Sequence, residues 1–99
     1  MSKKFVLSTD PLTAQQEQAL RDKLTNMGFW HWLPNFWLLK SFDETMSAIK
    51  IQTMFTEIAP LARCLVVEVI PTGTWSARAR PDAQGNDMVT WLRSNWDTP

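Results

Sequence analysis

The chain has 99 residues, 44% of them hydrophobic, with six Trp and five Phe, and its ten basic and ten acidic side chains cancel to a formal net charge of zero. That length predicts a single domain, 1–99, with a modest core. Balanced charge argues against a dedicated nucleic-acid binder unless the charges segregate by face. No apolar run approaches the roughly 20 residues that span a bilayer, so a soluble chain with no membrane partner is expected.

The amino-terminal stretch MSKKFVLSTD turns polar too early for a secretory signal. A single cysteine, Cys64, rules out an intramolecular disulfide and fits a reducing compartment, so a cytoplasmic protein is expected. Residues 3–9, KKFVLST, read as a strand, with Phe5 and Leu7 on one face and Val6 and Ser8 on the other. Asp10-Pro11 breaks it. Residues 13–28 read as a helix opened by a Thr13–Gln16 capping box, striped by Leu20, Leu24 and Met27, and stopped by Gly28.

The segment FWHWLPNFWLLK, 29–40, reads as two strands about a Pro34-Asn35 turn. A second helix is expected over 41–60, with Ser41 and Glu44 as its capping box, an apolar stripe of Ile51, Met54, Phe55 and Ile58, and Pro60 as its end. Residues 63–71, RCLVVEVIP, form a nearly unbroken apolar run, expected as a strand buried on both faces except near Glu68.

The order β-α-β-β-α-β predicts an α+β, ferredoxin-like βαββαβ core over 3–71. Its carboxy-terminal extension, 72–99, reads as an alternating strand TWSARAR, a loop PDAQGN, and a short helix with Met88, Trp91 and Leu92 on one face. Two helices cover only one face of such a sheet. The other face is aromatic-rich and needs a cover, most simply a second copy of the chain. Trp30, Trp32, Trp37 and Trp75 are the expected dimer interface.

Candidate chemistry is sparse. One His and one Cys cannot build a zinc site alone, and the three glycines are too scattered for a phosphate loop. His31 reads as a packed or hydrogen-bonded histidine against a catalytic alternative. Cys64 reads as a small buried hydrophobe at a strand start. Asp10 has two readings. It is a turn or helix cap, or it is a metal-binding carboxylate, two copies of which would hold one Mg²⁺ or Mn²⁺ in a symmetric dimer. Arg78 and Arg80 share one side of the tail, as nucleic-acid phosphate contacts or as a solvated strand face. Lys3 and Lys4 read the same two ways.

Taken together, FVLSTD, MGFWHWLPNFWLL and LARCLVVEV resemble the SinR-like proteins, small bacterial and phage-borne relatives of the second CRISPR-associated adaptation protein. The residues that carry the resemblance are Asp10 at the end of the first strand, Trp30-His31-Trp32-Leu33, Trp37-Leu38-Leu39, Leu65-Val66-Val67-Glu68-Val69 and Trp91-Leu92. The resemblance implies a ferredoxin-like homodimer with packed sheets, defence-associated, that binds nucleic acid or cleaves it as a metal-dependent endonuclease using Asp10. The alternative is a non-enzymatic protein-binding module, such as a phage-encoded inhibitor or an antitoxin-like protein, which the balanced charge and the Trp content favour. A third reading is a nucleotide-binding dimer.

Overall fold

The computed structural model describes residues 2–31, 33–70 and 88–96, with Met88 described through its backbone only. Trp32, Trp75, Arg78, Arg80, the expected strand TWSARAR and the loop PDAQGN lie outside the described residues, as does the side-chain placement expected for Met88. The elements are β1 (Lys3–Thr9), α1 (Ala14–Lys23), β2 (Gly28–Trp30), β3 (Phe36–Ser41), α2 (Ala48–Ile58), β4 (Cys64–Val69) and α3 (Met88–Trp91), which runs on into a π-helical turn, Leu92–Trp96. The four strands form one antiparallel sheet in the order β2-β3-β1-β4. This is the ferredoxin-like βαββαβ fold with a small carboxy-terminal helix.

Local chemistry sets the element ends. Thr13 accepts from the Gln16 amide, and the Gln16 side chain accepts from the Thr13 amide, so the expected capping box starts α1. The helix stops at Lys23, short of Gly28. The Leu24 N–H closes the last turn on the Leu20 and Arg21 carbonyls, and the Thr25 hydroxyl caps the Asp22 carbonyl. Gly28 instead opens β2, paired with Lys40. β2 is three residues rather than five because the chain turns at Leu33–Phe36. There the Phe36 N–H donates to the Leu33 carbonyl, with Pro34 second and Asn35 third at φ 61°, the left-handed value a type II turn requires.

The second helix also starts later than its pattern suggests. Ser41 ends β3 rather than capping a helix, and its hydroxyl accepts from the Asp43 amide. The Asp43 carboxylate then accepts from the Thr45 amide and hydroxyl, which holds the carboxyl below its usual range and fixes a turn. Ser47 is the true cap, accepting from the Lys50 amide.

The main core lies between the sheet and the two long helices. Phe5 and Leu7 of β1 face Leu39 and Trp37 of β3 in register, under Leu20, Leu24, Ile51 and Phe55. Trp37 is fully buried there. It is therefore a core residue of its own protomer, and its assignment to a dimer interface is corrected.

On the opposite face of the sheet, among the described residues, the chain itself supplies a cover over Trp30. Trp30, paired with Leu38, packs with Leu92 and Trp96 of the carboxy-terminal segment, and Phe36, Leu38, Val69 and Trp91 close around them. Trp30 is 3% exposed, so its assignment to a dimer interface is corrected as well. Two lysines tie the segment down. The buried Lys40 ammonium donates to the Asn95 carbonyl, and the Lys4 ammonium lies 5.6 Å from the Trp96 ring centre. Burial, followed by the Lys4 charge, lowers the Lys40 pKa.

β4 departs from expectation. Among the described residues it lies at the edge of the sheet, paired on one side only, with β1. Leu65 and Val67 point away from the helices and are 63% and 46% exposed. The continuous apolar run suggested burial on both sides, but at a sheet edge that run leaves apolar side chains on the surface. Cys64, at its start, is half-buried, and burial pushes its thiol pKa up.

Candidate functional site at the carboxyl end of the first strand

β1 and β4 pair antiparallel up to Thr9 with Cys64. One step further along that register, Asp10 meets Arg63. The Asp10 N–H donates to the Arg63 carbonyl at 3.0 Å, and the Arg63 N–H donates to Asp10 Oδ2 at 2.8 Å. The guanidinium adds Nε to Oδ2 at 3.0 Å and Nη2 to Oδ1 at 3.0 Å. This is a two-point, charge-assisted clamp. It holds the Asp10 carboxyl below the usual carboxylate range and raises the Arg63 pKa. The Asp10 side chain is 30% exposed and Arg63 is 91% exposed, so the clamp sits at the surface.

Beside it, the end of β1, the start of α1 and the 31–35 turn enclose a cleft of about 110 Å³, whose lining includes Thr9, Glu17, His31, Asn35 and Trp37. His31 stacks flat on Trp37, with ring centres 3.6 Å apart and planes 5° from parallel. Its Nδ1 lies 3.0 Å from the Phe36 carbonyl. A carbonyl only accepts, so Nδ1 carries the proton and Nε2 is the free position of the neutral ring. Nε2 lies 3.4 Å from Glu17 Oε1, and Arg21 Nη2 lies 3.4 Å from the same oxygen. The Arg21 guanidinium also covers the Trp37 and Phe29 rings. His31 is thus the packed, hydrogen-bonded histidine of the sequence reading, with one ring nitrogen turned to a carboxylate.

Among the described residues no three His, Cys, Asp or Glu side chains converge on a point where a metal could sit, and none of the helices is long and apolar enough to cross a membrane. Sequence reasoning singled out Asp10 and His31 but missed Arg63 and Glu17. Arg63 becomes recoverable only once the register of the first and last core strands, Thr9 with Cys64, is known. Glu17 carried no such signal, because nothing in a helix sequence tells which acidic residue will face a turn 14 positions later. Comparison with known protein families, with characterised proteins and with solved structures finds no match.

Proposed function

We propose that this chain is a cytoplasmic protein-binding module that works as a homodimer joined through β4. The observation that carries this reading is the outer side of β4. It is an apolar edge strand, it shows Leu65 and Val67 to solvent, and nothing among the described residues pairs with its free edge. Leu61 and Ile70, 97% and 67% exposed, lie before and after the strand.

A second copy suits this edge because the strand is self-complementary. Antiparallel pairing about a two-fold axis at Val67 would set Leu65 of each copy against Val69 of the other, with no like charges opposed. The two four-stranded sheets would become one continuous sheet, and each exposed stripe would extend along its neighbour. Sedimentation analysis tests this. Wild type is expected to be a dimer at micromolar concentration, and Val67→Lys a monomer with unchanged far-UV circular dichroism. A wild type that stays monomeric into the millimolar range overturns the reading, and so does a dimer that survives Val67→Lys.

A nucleic-acid role at Asp10 is the second reading, carried by the resemblance and by the carboxylate's place at a strand end. A Mg²⁺ or Mn²⁺ ion there has to displace the Arg63 guanidinium from both carboxylate oxygens. The expected signature is cleavage of labelled RNA or DNA that needs the divalent ion and is lost in Asp10→Asn. Cleavage retained in that variant, or absent from folded wild type, removes this reading.

A further inference from the structure

The face of the sheet turned away from the two long helices is laid out in rows across β3, β1 and β4. Lys40, Lys4 and Val69 form one row, Leu38, Val6 and Val67 the next, and Phe36, Ser8 and Leu65 the third. The carboxy-terminal segment packs over Trp30, Phe36, Leu38 and Val69. Ser8, Leu65 and Val67 stay exposed beside it and Val6 is half-buried, so an open and mostly aliphatic strip runs along β1 and β4. Among the described residues of these strands and of the segment, this face carries Lys4, Lys40 and Arg93 and no acidic side chain. Beyond the strand ends, Asp10 is already held by Arg63. The acidic residues of the strands and long helices, Glu17, Asp22, Glu57 and Glu68, sit on α1, on α2 or on the helix side of β4.

We propose that this strip docks an acidic amphipathic helix of a partner protein, with the helix's apolar stripe on Val6, Leu65 and Val67 and its carboxylates toward Lys4 and Arg93.

The inference gives a chemistry to the partner of the protein-binding module and so rests on that reading, but it does not need the dimer, because pairing at the β4 edge leaves this face open in each copy. Apolar side chains bounded by like charges select a ligand that is apolar on one side and oppositely charged at its margins, and an amphipathic helix presents both. Two other occupants fit less well. A second copy laid face to face brings two surfaces of the same sign together. Single-stranded nucleic acid is held by exposed rings on which bases stack. Here Trp30 and Trp96 are buried, and the open apolar side chains of the strip are aliphatic.

The probe is a fluorescein-labelled synthetic helix with leucines at i, i+3, i+4 and i+7 and glutamates on both flanks, titrated with the full chain and followed by fluorescence anisotropy. A matched peptide with lysine in place of glutamate and a labelled single-stranded RNA are run beside it. The acidic helix is expected to bind saturably and more weakly as salt rises, with the basic peptide and the RNA at least about tenfold weaker. Ser8 lies in the strip between Phe36 and Leu65, away from the β4 edge. Ser8→Glu should weaken binding of the acidic helix by about tenfold and Ser8→Lys should not, with the oligomeric state of both variants unchanged in sedimentation. Equal affinity for the acidic and basic peptides overturns the proposal, as does tighter binding of RNA or an affinity that Ser8→Glu does not change. A monomeric wild type that binds the acidic helix in this Ser8-dependent way removes the β4 dimer and supports the strip, whereas a dimer that does not bind the helix removes the strip and keeps the dimer.

Discussion

At Asp10 one carboxylate closes the sheet at the point where the first and last core strands separate. Its hydrogen bonds from Arg63 hold the carboxyl below its ordinary value. The folded chain therefore gives up this proton more readily than the unfolded chain does. The pair's contribution to stability is whole above the unfolded carboxyl's value of about 4, and it is lost as pH falls through the lower folded value. Asp10→Asn removes the ionisable group. Urea titrations of wild type and Asp10→Asn from about pH 7 to about pH 2 should show wild type the more stable at neutral pH, with the gap closing as the solution becomes more acid than about pH 4. A gap that does not change with pH would mean that the clamp's charge adds nothing. Asp10 was legible as a strand-end carboxylate, but its reading as a turn or helix cap is corrected, because its carboxylate bonds across the sheet to Arg63 and Thr13 caps α1. Its partner was not legible from neighbouring residues, because an ion pair spanning 53 positions exists only once the strand register is known.

Among the elements, the carboxy-terminal helix has the largest effect on the others. It is too short to be stable alone, and it is held by what it covers. Leu92 and Trp96 sit on Trp30, and Lys40 and Lys4 meet its last turn. Trp96→Ala should cost up to about 3–5 kcal/mol of stability and uncover Trp30, Phe36 and Leu38. A lowered urea midpoint together with new binding of a hydrophobic dye would report both effects. An unchanged midpoint without dye binding would mean that the segment does not hold this face. The same element shows where sequence periodicity falls short. Trp91 and Leu92 were readable as an apolar helix face, but nothing in that face says that its target is Trp30 rather than a second chain. Helix ends behaved similarly. Thr13 with Gln16 was readable because the capping box is a local pattern. Ser41 with Glu44 has the same spacing but belongs to a strand end and a turn, because Ser41 is paired with Lys3 across the sheet.

For the molecule as a whole, the alternation of apolar runs and the two long helices were enough to read the βαββαβ order, because each element carries its own period. Burial by face was harder to read. FWHWLPNFWLLK is apolar apart from His31, Asn35 and Lys40, yet its residues divide three ways. Trp37 goes under the helices, Trp30 goes under the carboxy-terminal segment, and His31 enters the cleft. A run without regular polar alternation gives little information on how it divides. The same limit applies to β4, whose apolar sequence resembles a central strand although, among the described residues, only β1 pairs with it.

The central place of β1 also bears on how the protein is made. Among the described strands, β1 is synthesised before the others yet needs two neighbours, and the second of these is the latest of the four, pairing Lys4 with Val69. At roughly 5–20 residues per second, the nascent chain leaves one edge of β1 without its partner for several seconds before β4 has been synthesised. Contacts this far apart in sequence also make for slow collapse. Until then the side of β1 that β4 will take is an open apolar edge, and its two lysines, Lys3 and Lys4, provide the charge that discourages it from pairing with another chain.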